Sequence, residues 1–234
     1  MPNDQIESAV PIQIGEGVWR IRNRGHASNT YLCRLEDGES GFIIDPGIDE
    51  EAVLAGIHSL GFRLVGTFCT HGHFDHVGSA AAIRENFGAP IHLHEADLDL
   101  LKSANFHMML AKVPGRISTP RVDAAASAGS RYLTGNDLIE FIHTPGHTLG
   151  SCCIRFGRYI FTGDTLYRDS LGLVNFPGED PATLRESLGI LWDTLPPWSV
   201  ICPGHGGAGT LESIKENNVE LRKFLFGDAQ KKEI

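Results

Sequence analysis

The sequence predicts a mixed α/β fold in which two β-sheets are covered by helices, within a single domain spanning residues 1–234. Short apolar segments typical of strands alternate with segments of helical periodicity along the whole chain. No low-complexity linker, charge block or short internal repeat divides the sequence, and its length suits one large domain or two small ones. The residues with the clearest chemistry fall directly after predicted strands, where the loops of α/β proteins converge.

The first part of the chain is predicted to be mostly β-structure. Residues 36–39, which read Glu-Asp-Gly-Glu, are typical of a hairpin turn between two strands. A helix is expected over residues 50–60, because apolar residues recur there at helical spacing and Gly61 follows as a stop. The strands predicted in this part cover residues 18–22, 29–35 and 41–44.

The rest of the chain repeats this alternation. A buried strand over residues 64–70 leads directly into a His-rich run, and residues 102–131 show the least regular pattern. The other predicted strands cover residues 91–94, 138–144, 152–156, 159–162 and 199–202. The other predicted helices cover about 78–87, 95–101, 182–195 and 210–226.

Composition excludes several classes of function. The net charge of −9, with no basic cluster, argues against nucleic-acid binding. No segment reaches the roughly 18 apolar residues of a membrane span, and the first residues lack the basic and apolar regions of a secretory signal. The five cysteines have no CxxC spacing, so they are interpreted as buried free thiols. These features predict a cytoplasmic protein.

The most informative segment is Thr70-His71-Gly72-His73-Phe74-Asp75-His76, which places three imidazoles and a carboxylate within six residues. Imidazole and carboxylate are the ligands that zinc and similar divalent ions prefer. Three later segments each add one more such group beside glycine, where the chain can turn sharply. They contain His147, Asp164 and His205. Seven candidate ligands from four loops predict two metal ions rather than one.

The spacing predicts how the two ions share these ligands. In an extended segment His71 and His73 point to the same side and can bind one ion. Asp75 and His76 lie where the chain turns into a helix and can reach a neighbouring ion. His147 could complete the first site and His205 the second, with Asp164 as the natural bridge, since one carboxylate can offer an oxygen to each ion. Zinc is the default ion, and iron or manganese fits the same ligands.

The HxHxDH run at 71–76, followed in order by His147, Asp164 and His205, resembles the metallo-β-lactamase-fold superfamily over almost the whole chain. The resemblance implies a four-layer αββα sandwich with the metal site at one edge of its sheets. It also implies that Asp45 holds the metal-site loops without being a ligand. The implied ligands are His71, His73 and His147 on one ion, Asp75, His76 and His205 on the other, and Asp164 between them.

Within that superfamily the segments around His147 and Asp164 are most similar to glyoxalase II and short hydroxyacylglutathione-hydrolase-like proteins, which cleave thioesters. The first departure from this pattern concerns the features that hold glutathione. The lysine and tyrosine that contact glutathione there fall at Leu173 and Asn175 here, and only 29 residues follow His205. The expected substrate is therefore a small-molecule or carrier-protein-bound acyl thioester rather than a glutathione thioester.

Tyr167 is the second departure, because the glyoxalase II pattern has phenylalanine at this position. A tyrosine there is similar to the acyl-homoserine lactonases, and its phenol could donate a hydrogen bond to a developing oxyanion. Tyr167 is therefore one candidate catalytic residue. The other is Asp75, a predicted metal ligand that would also steer the attacking hydroxide. A pocket-wall role for Tyr167 stays open.

Three functions are compared. Thioester hydrolysis is the leading hypothesis, lactone hydrolysis is the first alternative, and a mononuclear-iron persulfide dioxygenase, which shares the fold, is the second. The remaining histidines are interpreted as structural: His92 and His94 as strand residues, His143 as a strand residue whose hydrogen bond supports the site, and His26, His58 and His107 as surface or pocket-wall residues.

Overall fold

The computed structural model describes residues 10–173 and 176–227. These residues form two compact units, each assembled from three stretches of chain. The predicted α/β class with two sheets is confirmed, whereas the assignment of residues 1–234 to one domain stays a prediction. In the described part, the first unit contains the chain up to Cys69, His73–His92 and Leu100–Ala124, and the second contains Thr70–Gly72, Leu93–Asp99 and the chain from Ala125 onward.

The first sheet contains seven strands, counted within the described ranges, and their spatial order follows the chain. Neighbours among the first four strands are antiparallel, whereas the fourth pairs with the fifth, and the fifth with the sixth, in parallel. The strands are β1 (Ile12–Gly15), β2 (Val18–Arg22), β3 (Asn29–Arg34), β4 (Ser40–Ile44), β5 (Arg63–Phe68), β6 (Ile91–His94) and β7 (Ala124–Ala126).

The turn between β3 and β4 confirms the predicted hairpin. Asp37 Oδ1 accepts hydrogen bonds from the backbone N–H groups of Ser40 and Glu39, at 2.7 and 2.9 Å. Gly38 adopts a φ of 71°, which glycine reaches without steric cost. The short side-chain acceptor and the permissive glycine together allow the chain to reverse in this position.

The second sheet contains six strands in the described residues, in the order β13-β12-β11-β10-β9-β8. Its one parallel pair joins the strands β11 and β12, and the other neighbouring strands are antiparallel. The strands are β8 (Arg131–Thr134), β9 (Asp137–His143), β10 (Cys152–Phe156), β11 (Tyr159–Gly163), β12 (Val200–Pro203) and β13 (Gly209–Thr210).

Helices provide the crossovers that parallel strands require. Their termini carry the expected signals: Asp49 caps the first helix, which Gly61 closes with a φ of 67°, and Asp180 caps the sixth, which begins with Pro181. The helices are α1 (Glu50–Leu60), α2 (Phe74–Val77), α3 (Ala80–Phe87), α4 (Leu98–Lys102), α5 (Ala104–Leu110), α6 (Pro181–Thr194), α7 (Leu211–Asn217) and α8 (Val219–Phe226), with a 3-10 turn at Glu95–Asp97.

Each unit has its own hydrophobic core. In the first unit, Val53 and Ile57 of α1 pack with Ile43 of β4. In the second unit, Leu184 and Leu188 of α6 belong to a cluster of buried aliphatic residues. Burying these apolar faces stabilises the sheets by roughly 25 cal/mol per Å² removed from water, and the loops at the strand ends are thereby held in place.

The prediction of a single helix over residues 210–226 is wrong, because the structure has two helices there, α7 and α8. The break falls at Asn218, whose Oδ1 accepts from the backbone N–H of Leu221 at 2.8 Å and so caps α8. Its Nδ2 donates to the carbonyls of Tyr167 and Ser170, at 3.2 and 3.0 Å. The buried amide is more fully hydrogen-bonded in this conformation than an interior helical position would allow.

Residues 102–131, predicted to be the least regular, contain α5 and β7. Met108 and Ala104 of α5 pack against Phe74 in a small buried cluster. On the opposite face, Phe106 and Met109 are 55% and 61% exposed. The helix is therefore anchored by one apolar face while the other faces outward.

The five cysteines are free and buried, as predicted. Burial raises the pKa of the Cys153 thiol to about 12, so this side chain is protonated at neutral pH and packs as a small apolar group. None of the helices in residues 10–173 and 176–227 combines the length and hydropathy that a bilayer crossing requires.

Candidate metal centre

The His-rich run begins just after β5 and continues into α2. Glycine separates His71 from His73, and α2 begins immediately afterwards, so that Asp75 and His76 are helical residues. All four side chains are buried, with exposures of 1%, 7%, 4% and 0% in chain order. Burying four ionisable groups is costly unless they are paired or bind a metal ion, and this burial favours a metal-binding role.

His147, Asp164 and His205 follow three strands of the second sheet, β9, β11 and β12. Asp164 Oδ2 lies 3.6 Å from Nε2 of His147 and 3.6 Å from Nε2 of His205. The rings of His71 and His147 meet edge to face, with centroids 4.9 Å apart. One carboxylate oxygen thus faces two imidazoles.

The candidate ligands of α2 have their own supporting contacts. His76 Nε2 lies 3.4 Å from Asp75 Oδ2, and His76 Nδ1 lies 3.0 Å from Asp45 Oδ2. Ser28 donates a hydrogen bond to the Asp75 carbonyl at 2.7 Å. His26, which the sequence analysis placed at the surface or pocket wall, has its Nε2 3.8 Å from Asp75 Oδ2. Asp75 therefore lies between two imidazoles.

The structure brings all seven predicted ligands into groups that could hold a metal ion, with the ligand atoms of each group within 4.8 Å of one another. Their donors, imidazole nitrogens and carboxylate oxygens, are those of zinc, iron and manganese sites. Among the described residues the groups are His71–His73–His147, His71–His76–Asp164 and Asp75–His76–His205.

Hydrogen bonds at Nδ1 orient three of these imidazoles. The Nδ1 atom of His147 donates to the Gly172 carbonyl at 2.9 Å, because a carbonyl oxygen can only accept. His76 Nδ1 faces Asp45, and His71 Nδ1 lies 3.0 Å from Thr70 Oγ1. With Nδ1 engaged in each ring, Nε2 is the nitrogen left to present a lone pair to an ion.

Asp45 occupies a backbone conformation that non-glycine residues seldom adopt, with a φ of 48°. Its carbonyl accepts from Thr30 Oγ1 at 2.7 Å, and its N–H donates to the Phe68 carbonyl at 3.1 Å. Contacts from β3 and β5 therefore hold the carboxylate where it reaches His76. The resemblance implied such a role for Asp45, and the observed contacts agree with it.

Asp97, a buried carboxylate in the 3-10 turn, was not predicted from the sequence. It accepts hydrogen bonds from the N–H groups of Gly72 and Gly150, at 2.8 and 2.7 Å, and from Thr148 Oγ1 at 2.8 Å. Burial raises the pKa of Asp97, against the effect of these three donors. The side chain fastens the loop of His71 to the loop of His147, and no local motif marks it.

Glu179 was also missed. Its Oε1 lies 3.3 Å from His147 Nδ1, and only 6% of its side chain is exposed. It precedes the cap of α6 in a Pro-Gly-rich loop that the sequence analysis did not associate with the metal ligands. The structure therefore places a second buried carboxylate beside a candidate ligand, in addition to Asp45.

Tyr167 lies next to a predicted ligand, because its ring meets that of His205 edge to face with centroids 5.9 Å apart. The hydrogen bond from Asn218 to its carbonyl fixes the backbone there. Leu173 packs against the core of the second unit, and Asn175 lies outside the described residues.

The other histidines make ring contacts instead of joining the candidate groups. His92 stacks on Phe68 with centroids 4.6 Å apart, and burial lowers its pKa to about 4. His94 stacks on His143 at 4.2 Å. In the first unit the ring of His107 lies 6.0 Å from that of His73.

Comparisons with known proteins place the chain in one superfamily. The family model described as "Metallo-beta-lactamase superfamily" matches residues 23–211. Hydroxyacylglutathione hydrolase GloC of Haemophilus influenzae is 32% identical over an alignment of 199 residues that covers 80% of this chain and 90% of that protein. The probable polyketide biosynthesis zinc-dependent hydrolase BaeB of Bacillus velezensis is 24% identical over 193 residues, 81% of this chain and 79% of that protein.

Two solved structures are similar as well. BLEG-1, titled a B3 metallo-beta-lactamase, has a TM-score of 0.78 and 27% identity and covers 87% of this chain and 99% of its own. TTHA1623, in a di-iron-bound form, has a TM-score of 0.74 and 32% identity, with coverage of 89% and 98%. The sequence match, the fold and the His/Asp groups indicate a metal-dependent hydrolase, and the chain belongs to the metallo-beta-lactamase superfamily.

Proposed function

We propose that this protein is a dinuclear metal-dependent hydrolase that cleaves acyl thioesters whose carrier is not free glutathione. The observation that supports this most directly is the equal distance of 3.6 Å from Asp164 Oδ2 to the Nε2 atoms of His147 and His205. These two histidines belong to different candidate groups. A carboxylate between them is suited to bind both ions of a two-metal site.

The proposed ion is zinc, and the same donors would accept iron or manganese. BaeB is named as zinc-dependent and TTHA1623 was solved with two irons, so both chemistries occur among similar proteins. When bound, such ions lower the pKa of water toward about 7 and polarise a carbonyl group. His71, His73 and His147 would hold one ion, Asp75, His76 and His205 the other, and Asp164 both.

Two side chains are proposed to act on the substrate. Asp75 steers the attacking water and accepts its proton, and the contacts of Ser28, His26 and His76 fix its position. Tyr167, beside His205, donates a hydrogen bond from its phenol to the carbonyl oxygen as negative charge develops there. The water oxygen bonds to the carbonyl carbon, the C–S bond breaks, and the thiolate leaves with the bond's electron pair.

The proposed thioester substrate is supported by the similarity to GloC, named as a hydroxyacylglutathione hydrolase. A carrier other than glutathione is supported by Leu173, which is apolar and packed against the core where the resemblance would place a cationic partner for glutathione. The name of BaeB, a probable hydrolase of polyketide biosynthesis, supports acyl groups held on a pantetheine arm.

Lactone hydrolysis is the second candidate, because the contact between Tyr167 and His205 puts a phenol beside the candidate metal ligands. The dioxygenase alternative is less well supported. It needs one iron, which would leave the group of Asp75, His76 and His205 without an ion.

The test compares initial rates of the metal-loaded protein on one acyl group carried by glutathione, by pantetheine and as a homoserine lactone. We expect the highest kcat/KM for the pantetheine thioester. Preference for the lactone would transfer the assignment to lactonases, and preference for glutathione would refute the inference from Leu173. Oxygen uptake with a persulfide substrate would identify a dioxygenase.

A further inference from the structure

Glu179 touches a candidate metal ligand from a loop outside every recognised motif. Its Oε1 lies 3.3 Å from Nδ1 of His147, and its Oε2 accepts a hydrogen bond from the Phe176 N–H at 3.1 Å. Both carboxylate oxygens are therefore engaged, and the side chain is nearly inaccessible to water, with 6% exposed. This burial keeps its charge poorly screened, so its field acts strongly on the adjacent ring.

The Nδ1–H of His147 is directed to the Gly172 carbonyl, at 2.9 Å, and the carboxylate of Glu179 lies beside that bond. The carbonyl fixes the tautomer. The carboxylate adds a negative charge next to the N–H, which raises the electron density at Nε2 and strengthens it as a ligand. The two neighbours of Nδ1 thus have separable effects, one through hydrogen bonding and one through charge.

Helix α6 fixes the positions of both Glu179 and the loop that carries His147. Directly after Glu179, the Asp180 N–H donates to the Gly146 carbonyl at 2.7 Å, and Asp180 caps α6. About two turns further along α6, Ser187 Oγ donates to the Pro145 carbonyl at 2.7 Å. The loop that carries His147 and the residue that precedes α6 are therefore fixed to one another, so the carboxylate cannot drift from the ring.

We infer that Glu179 is a positioning residue for His147, whose buried charge strengthens the binding of the ion held with His71 and His73. This inference rests on the metal centre of the proposed function but not on its substrate. Each ion would then be bound by one histidine whose Nδ1 faces a buried carboxylate. Asp45 faces His76, and Glu179 faces His147.

The experiment measures metal binding to the apo-protein without any substrate. Zinc or cobalt is titrated against a chromophoric chelator, and cobalt absorption bands report the ligand set. Glu179→Gln keeps the size and one acceptor oxygen but removes the charge, and we expect the His71/His73/His147 site to bind about 10–100-fold more weakly. The matched control is Glu186→Gln, which removes an exposed carboxylate from α6 and leaves binding unchanged.

A His205→Ala background, which disables the other ion's site, assigns the affected site. Wild-type metal affinity in Glu179→Gln would overturn the inference. If Glu179→Ala also lost affinity while Glu179→Gln kept it, the side chain would act through packing and not through its charge. If Glu179→Gln fails to fold, Glu179→Asp retains the charge and must keep most of the affinity for the inference to stand. Weakened binding with no thioesterase activity would refute the proposed substrate alone.

Discussion

The Nδ1 atom of His76 lies 3.0 Å from Oδ2 of Asp45, 31 positions earlier in the chain, and Asp45 reaches it from a left-handed backbone with a φ of 48°. Such a conformation costs about 1–3 kcal/mol and persists only where its surroundings enforce it. Here the hydrogen bonds to Thr30 and Phe68 do so.

Replacing Asp45 by Asn should separate its charge from its backbone conformation. Asparagine tolerates a positive φ, so the fold should survive, while the ion bound by Asp75, His76 and His205 should bind about 10–100-fold more weakly. Chelator competition measures this affinity. Asp45→Val also removes the carboxylate, and because a β-branched residue tolerates a φ of 48° poorly it should additionally lower the free energy of unfolding. Unchanged metal affinity in Asp45→Asn would contradict the role of the carboxylate.

If the proposed dinuclear centre is correct, Asp164→Ala should reduce the metal content from two ions to one and abolish most of the turnover. The physical reason is that Oδ2 of Asp164 faces both His147 and His205, so its removal takes a ligand from each ion. Metal analysis after gel filtration and steady-state rates measure the two effects. A fully active variant would refute the dinuclear scheme.

Tyr167→Phe tests the phenol without disturbing the ring contact with His205. If the hydroxyl stabilises the oxyanion, kcat should fall about 100-fold or more, since one such donor contributes roughly 3–4 kcal/mol. Metal content and the melting temperature should stay at wild-type values. Full kcat in this variant would assign Tyr167 to the pocket wall.

Gly146→Ala should disturb the loop of His147. Gly146 has a φ of 134°, and an added Cβ would overlap the backbone of Leu184 in α6. We expect a lower melting temperature and weaker metal binding. The matched control is Gly157→Ala, where φ is 55° and the Cβ would meet open space, so that only a conformational cost of about 1 kcal/mol is expected. If both variants lost the same melting temperature and metal affinity, the close packing of Gly146 on Leu184 would be unimportant.

His92 should make the apo-protein less stable in acid. Burial lowers its pKa from 6.5 to about 4, so between these values the unfolded chain binds the proton and the folded chain does not. The free energy of unfolding therefore falls as the pH drops from 6.5 to about 4. Above pH 6.5 the titration of His92 no longer changes it. His92→Phe, which keeps a ring beside Phe68, should reduce the difference in urea denaturation between pH 7 and pH 5. An unchanged difference would contradict this assignment.

The fold class and the superfamily could be predicted from the sequence because their signals are local. Hydrophobic periodicity indicated most strands and helices, and Gly61 marked the end of α1. The helix over residues 210–226 was mispredicted because its break depends on Asn218. The side-chain amide of Asn218 donates hydrogen bonds to the carbonyls of Tyr167 and Ser170, 51 and 48 positions away. Helical periodicity continues across that residue, and only tertiary contacts reveal the break.

The sequence by itself identified the seven candidate ligands, because four of them fall within six residues and the others stand beside glycine at strand ends. Only the tertiary structure revealed the carboxylates that support them. Asp97 bonds groups 25, 51 and 53 positions away, and Glu179 reaches His147 across 32 positions of chain. A metal ligand must have a particular side chain in a particular loop, whereas a supporting carboxylate can come from any segment that folding buries beside it.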